Sequence, residues 1–455
     1  MTRKVVEYKS PNNVMEQAII AKEIPQGVYK KKDKKKEEKY LAIDFYSDKI
    51  ALCPKTWSTS PATMVRDISA SGLSQRVYEK NHCSGKTVAS SVKKLAKFKP
   101  TMNQRGTSGT FSTSSLLYYH FSRYFDTVTI IPVAIYREMD RKAHRTRVTK
   151  AGKAKTSRGM IAKAWDHLYR AETSPRSYRP TNELFTPSRS KIYGALIKGK
   201  GSRYGAEVNG ARRRAWGSAQ NEEFQETAPY FALRSDKPLL DAIKAGKRRV
   251  GSRVRSATGD VSDFQMLYWM RELTEIVLLD YIFSQQDRVG NIDYRWAWYW
   301  VGDDGKVNKK WASSKVSRRN IDRIQPPAEI AQFFPNLVQR THLNDNDAGG
   351  RVPYANFAKR TGMLQKLRHF SAKTYSKLIR LDRDLQDHGP IYRYIEKSFV
   401  LDSRQRRQIV KNTRLATEIL KDTCSIGKLR FDLDNPKDFL LDVAMTEQPM
   451  DCHNP

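Results

Sequence analysis

The chain is poor in acid, in cysteine and in long apolar runs. Asp and Glu number 48 against 83 Lys and Arg, a formal net charge of +35, and neither occurs anywhere from Lys86 to Phe125. A surface this short of carboxylates attracts polyanions, whether nucleic acid, anionic membrane or an acidic protein. The four cysteines (Cys53, Cys83, Cys424, Cys452) form no CxxC pair. That argues against a zinc site and a disulfide framework and fits a reducing compartment. No apolar run approaches the roughly 20 residues that span a bilayer, and the opening MTRKVVEYKSPNNVMEQ lacks the apolar centre of a secretory signal. The expectation is a cytoplasmic protein, or one of host cytoplasm or virion if viral.

What is present suffices for a core. Hydrophobic residues make up 39% of 455, and two or three domains are expected. The most informative stretch runs from Phe264 to Val301. Met266, Met270, Leu273, Val277 and Leu278 recur at helical spacing, with Glu272 and Glu275 on another face. The pattern stops at Ser284-Gln285-Gln286. A polar loop, Asp287-Arg288-Val289-Gly290-Asn291, follows, and then an alternating aromatic strand of Tyr294, Trp296, Trp298 and Trp300. Gly302-Asp303-Asp304-Gly305 closes a hairpin.

Residues 1–40 read as a basic arm ending in the charge run KKKDKKKEEKY, a solvated linker or short exposed helix. Tyr40 to Cys53 is strand material. Residues 41–140 form a first unit, 141–260 a basic segment, 261–442 a helical unit and 443–455 a loose tail. The segment 141–260 holds 28 Lys and Arg against 10 Asp and Glu, about half of the excess charge. Its tyrosines and Trp216 interleave with basic clusters, as on nucleic-acid surfaces. Gly199 to Gly205 reads as a hairpin turn.

Three short stretches carry candidate chemistry. Ser69 to Gln75 is small and polar, and Arg76-Val77-Tyr78 and Val92 to Lys99 read as strands beside it. Such a loop lets backbone N–H groups approach a phosphate, through Ser71, Gly72, Ser74 and Gln75. Near Ser84-Gly85-Lys86 there is a turn but no GxxxxGK[ST]. Leu95 to Pro100 alternates, placing Lys97 and Lys99 on one strand face and Phe98 on the other. Thr113 to Phe125 is an amphipathic helix with His120 as a core or edge histidine and not a metal ligand, followed by a strand over Thr127 to Ala134. Finally, THLNDNDAGGR from Thr341 to Arg351 offers oxygen ligands for a divalent cation, or an Asn/Asp/Gly turn. Helices are expected from Met363 to Cys424.

The order of these pieces resembles the protein-kinase-like superfamily, in particular its atypical branch of secretory-pathway casein kinases, HipA-type kinases and phosphatidylinositol kinases. Phe98-Lys99-Pro100 resembles the strand motif that carries the nucleotide lysine. Asp280-Tyr281 and Gln286-Asp287-Arg288 resemble the approach to a catalytic loop. His342-Leu343 with Asp345-Asn346-x-x-Gly349 is similar to a metal-binding Asp-Asn-x-x-Gly. The resemblance covers roughly 65–135 and 260–425. It implies an α+β, two-lobed fold with a small β-rich N-lobe, a helical C-lobe and 141–260 as a basic insertion. It further implies ATP with Mg2+ or Mn2+ as cofactors and transfer of phosphate to a protein or small-molecule hydroxyl. Lys99, with Lys97, would hold the phosphates under the Ser69–Gln75 loop. Asp345, Asn291 and Asp347 would hold the metal, and Asp287 would be the base.

The chain departs from that pattern at two places. The helix Glu that pairs with the strand Lys is missing; Ser115 stands about where it belongs, and Glu222 or Glu223 is the nearest substitute from the basic segment. The metal residue five after the base would be Ile292, with Asn291 one short and Asp293 one beyond. A pseudokinase, or a basic viral or mobile-element protein that binds nucleic acid or an acidic partner through 141–260, is the alternative.

Overall fold

A computed structural model describes residues 2–83, 92–107, 109–211, 215–252, 260–442 and 447–455; the turn at Ser84-Gly85-Lys86 lies outside them. Seven strands build the larger sheet: β1 Thr2–Lys9, β2 Met15–Ala21, β3 Ile50–Pro54, β4 Thr63–Asp67, β5 Lys93–Pro100, β6 Ala134–Asp140 and β7 Lys191–Ile197. Their order is β1-β2-β6-β7-β5-β4-β3, and every neighbouring pair is antiparallel. A smaller sheet forms around β9 (Asp293–Val301), which pairs with the two-residue β8 (Ser202–Arg203), β10 (Val307–Trp311) and β11 (Asn336–His342). The architecture is α+β, as expected.

The helices that position the site are α1 Lys31–Leu41, α2 Gln75–Asn81, α3 Ser112–Phe125, α4 Gly159–Thr173, α5 Leu239–Arg248, α6 Asp263–Phe283, α7 Ala372–Gln386, α8 Pro390–Ser398 and α9 Ser403–Ser425. Helix α6 begins where Ser262 caps the Gln265 N–H and ends at Ser284, which adopts a left-handed conformation. Packed among α5, α9 and β11, it has no solvent face; every residue from Phe264 to Phe283 is buried. Glu272 and Glu275, expected on a separate face, are buried too. Glu272 accepts from Arg340 Nε at 2.7 Å, and Glu275 pairs with Arg271 at 3.1 Å. Each large apolar side chain fully buried along α6 contributes about 1.5–3 kcal/mol, which offsets the cost of burying those ion pairs.

Several expectations are corrected. Residues 2–41 are no arm. Ala18 and Ile20 of β2 enter the core, and β2 pairs with β6. The charge run forms α1, whose Asp33 and Glu37 turn inward to Arg123, Arg3 and Tyr119. Lysines on its outer face concealed that amphipathicity. The basic segment is not one insertion either, because KIYGALI within it is β7, a central strand between β5 and β6. Gly194 of β7 is required there, since a Cβ would lie 2.5 Å from the Lys99 carbonyl oxygen. Arg76 to Tyr78 is helical, within α2, and the strand expected at Thr127 begins at Ala134, the intervening chain being tied down by Glu275 at the Val128 and Thr129 N–H groups.

All four cysteines are paired, Cys53 with Cys83 and Cys424 with Cys452, against the expectation of none. Their separations of 30 and 28 residues give no local motif to read. Cys452, with the Arg430–Glu447 ion pair, also anchors the tail that was expected to be loose. Among the described residues no helix is long and apolar enough to cross a membrane.

Candidate functional site

The site grows from β5. Lys97 pairs with Met64 and Lys94 with Arg66, with a register shift between Val65 and Arg66. Partners directly opposite share a face, and Met64 and Arg66 alternate onto the same one. Lys94, Lys97 and Lys99 therefore all project from one side of the sheet. Phe98 projects from the other, against Phe45 and His144 with ring centroids 5.9 Å apart.

Across from the lysines lies the loop after β11. Helix α3 fixes it from above: Phe111 N–H donates to the Asp347 carbonyl at 2.6 Å and Ser114 Oγ to the Asn346 carbonyl at 2.5 Å. Lys99 Nζ is 2.6 Å from Asp347 Oδ2 and 3.7 Å from Asp345 Oδ1. The carboxylate beside Lys99 is thus Asp347, not Glu222 or Glu223, and Ser115 is buried with no hydrogen-bond partner for its hydroxyl among the described residues. This also changes the role expected of Asp347, which faces Lys99 as counter-ion. Burial opposes the charge on Lys99, but Asp347 and Asp345 outweigh it and raise its pKa. Burial likewise opposes ionisation of Asp345, yet Lys99, Lys97, Arg203 and Lys55 hold it well below the usual carboxylate range.

The Asp287–Asn291 loop reaches the same place through Arg288. This buried side chain makes a two-pronged contact with Asp280 of α6, at 2.7 and 2.8 Å, and Asp280 also accepts from Tyr118 Oη of α3 at 2.6 Å. Arg288 then donates to the Asp345 carbonyl and to Asn346 Oδ1, both at 3.0 Å. Asn291 Nδ2 donates to the Asp287 carbonyl at 2.8 Å. The two loops that the sequence places some sixty positions apart are therefore one hydrogen-bonded unit. Ile292 is fully buried, while Asn291 and Asp293 both turn toward Arg203. Asp293 also accepts from Asn344 Nδ2 at 2.7 Å.

Two contributors went unread in the sequence. The first is Arg203, carried by β8 and bound to Asp345, Asp293 and Asn291. The second is the β3–β4 hairpin. Pro54 pairs with Thr63 and Thr63 with Phe98, so the next row across the sheet is Lys55, Ala62, Lys99. The Lys55 N–H donates to the Ala62 carbonyl at 2.9 Å. The small Ala62 side chain stands between the two lysines in that row. Burial, then the nearby Lys97 and Lys99, push the Lys55 ammonium down to about 7. Lys97 is lowered for the same reasons, burial first and Lys99 next. Neither Lys55 nor Lys97 makes an ion pair among the described residues. Hydroxyls of Ser58 and Ser60 and the exposed Trp57 complete the hairpin tip.

The Ser69–Gln75 segment stands elsewhere. It follows Asp67, which pairs with Lys93, about 20 Å of strand from Lys99 at roughly 3.3 Å per residue. Its polar groups serve the fold. Ser74 caps α2, Ser71 Oγ donates to the Ile68 carbonyl, and the Gln75 amide donates to the Ser47 and Ile50 carbonyls. Gly72 adopts a positive φ of 67° in that turn. The turn that lies next to Lys99 by sheet register is the one from Lys55 to Ala62, which lacks the glycines that would have announced it.

For a divalent cation, the donors at hand are hard oxygens: Asp345, which keeps 30% of its side-chain surface exposed, with Asn291 and Asp293. Among the described residues no group of three His, Cys, Asp or Glu could hold a metal ion by itself. Mg2+ commonly binds through one or two carboxylates plus substrate phosphates, and the oxygen set here fits that use. No family model matches the chain, and no curated protein matches it significantly.

Proposed function

We propose that the chain is an ATP-dependent phosphotransferase with a two-lobed, protein-kinase-like arrangement, the larger sheet with α3 being one lobe and the α6–α9 body the other. The observation that carries this reading is the buried Lys99 held between Asp345 and Asp347, with Lys97 and Lys55 nearby making no ion pair among the described residues. Three clustered ammonium groups facing two carboxylates leave positive charge in excess, which a polyphosphate would neutralise. The strand order β5-β7-β6, with α3 between β5 and β6 in the chain, also supports it.

In this reading Lys99, Lys97 and Lys55 hold the phosphates of ATP beside the Lys55–Ala62 turn. Asp345, with Asn291 and Asp293, would hold Mg2+ or Mn2+, which would supply positive charge against that of the phosphates. An acceptor hydroxyl oxygen bonds to the γ-phosphorus as the bond to the β–γ bridging oxygen breaks. The hydroxyl proton passes to the Asp287 carboxylate, and ADP leaves. Arg288, anchored by Asp280, keeps Asp287 and Asp345 in register, so positioning and charge neutralisation supply the rate. Incubation with γ-labelled ATP and Mn2+ should label an acceptor or release phosphate with wild type and not with Asp345→Ala. Equal turnover by the two would remove Asp345 from the chemistry.

A second reading, polyanion binding, has its own support. The segment from Arg141 to Arg179 exposes Lys142, Lys150, Lys155, Arg158, Lys163 and Arg176. Its acids are few, Asp166 pairing with Lys153 and Arg170 and Glu172 being buried against His144. Nucleic acid or an acidic protein fits this surface, and steep loss of affinity with salt would mark it. The two disulfides support maturation in an oxidising compartment rather than a cytoplasmic one.

A further inference from the structure

The guanidinium of Arg203 sits at the centre of an oxygen set. Nη1 donates to the Gly290 carbonyl at 2.6 Å and to Asn291 Oδ1 at 2.7 Å. Nη2 donates to Asp345 Oδ2 at 3.0 Å, and Nε lies 2.9 Å from Asp293 Oδ1. Two carboxylates, an amide oxygen and a main-chain carbonyl ring the guanidinium, and drawn closer together they are the ligand chemistry of a hard divalent cation. Here the centre is filled by the protein's own charge.

Its delivery is built in. Strand β8 reaches β9 through Gly201, whose φ is +114° and whose Cβ, if present, would lie 2.5 Å from the Tyr294 carbonyl oxygen. Only glycine allows that approach, and it sets Arg203 directly opposite Asp293. Yet the side chain itself is not locked. It keeps 42% of its surface exposed and borders a surface cavity of about 430 Å³ lined also by Gly205, Asn209 and Gly290. The guanidinium can leave without unpacking the core.

We propose that Arg203 is a resident cation: it holds Asn291, Asp293 and Asp345 together in the free chain and must be exchanged for the divalent ion. This rests on the phosphotransferase reading and adds that the free chain suppresses its own metal affinity. With Arg203 in place, two carboxylates are already neutralised in part. Without it, Asp345 keeps Lys99 at 3.7 Å but Asp293 loses its ion pair, so the repulsion between the two carboxylates rises, and a dication offsets it best.

The test is calorimetric titration of Mn2+ into the full chain without nucleotide, for wild type, Asp345→Asn, Arg203→Ala, Arg203→Gln and each Arg203 variant combined with Asp345→Asn. Arg203→Gln removes the charge but keeps an amide donor, and its thermal midpoint beside that of wild type shows whether it folds. Both Arg203 variants should bind Mn2+ about tenfold or more tightly than wild type, the scale of charge-assisted contacts released. Asp345→Asn should abolish the gain. If wild type binds through Asp345 and the Arg203 variants bind equally or more weakly, the exchange is overturned while the metal site stands. Should no form bind Mn2+, the metal assignment falls along with it.

Discussion

Removing one partner of the Lys99–Asp347 pair tests the geometry at its most buried point. Lys99 and Asp347 keep 4% and 9% of their side-chain surfaces exposed and lie 2.6 Å apart, with Asp345 at 3.7 Å. At an effective dielectric of about 20, those separations correspond to gross attractions of about 6 and about 4–5 kcal/mol. Desolvation cancels much of this, so the pair itself adds little net stability. Breaking it is another matter, since a buried charge left alone costs about 3–5 kcal/mol. Asp347→Ala should fall near the low end, because Asp345 still faces Lys99, and Lys99→Met should fall within the range. The double variant replaces the pair with apolar groups and should cost less than the two singles together, by about 2 kcal/mol. Urea unfolding followed by tryptophan fluorescence reads all four corners of the cycle. Costs that add to within about 0.5 kcal/mol would show that the two side chains do not interact, and the site as described would be wrong.

Other outcomes follow from the same structure. Lys55, with its ammonium pushed down to about 7, is charged below that pH and neutral above it. Affinity for inorganic tripolyphosphate should therefore fall as pH rises through 7, although the ligand itself gains charge, and Lys55→Met should abolish the fall; an unchanged profile in the variant would dismiss Lys55. The disulfides close segments of 30 and 28 residues, each worth about 3–4 kcal/mol by loop entropy. The unreduced, denatured chain should show no free thiol, and reductant should lower its thermal midpoint; four titratable thiols would refute the pairing.

The periodic parts of this chain were legible and the charged parts were not. Helix α6, the aromatic strand β9 and its hairpin follow from spacing alone, as do α3 and the opposed faces of Lys99 and Phe98. The approach of the Asp287 and Asp345 loops was readable from motif order, but nothing local marks Arg288 and Asp280 as what joins them. Lys55 and Arg203 were invisible because each acts through register: one is brought across two strands to Lys99, the other is delivered by a two-residue strand. Lysine-rich surfaces hid the amphipathic α1 and the central strand β7, where composition spoke louder than alternation. The small-residue loop at Ser69 misled for the converse reason, since Ser, Gly and Gln are also what helix caps and turns require.

The central claim is that the Lys55, Lys97 and Lys99 cluster binds nucleotide phosphates with a divalent ion. Calorimetric titration of ATP, with and without Mn2+, into wild type and Lys99→Met tests it most directly. Metal-dependent binding to wild type that weakens at least about tenfold in Lys99→Met, as loss of a charge-assisted phosphate contact requires, is the predicted result. Equal binding by both proteins, or binding indifferent to metal, would contradict it.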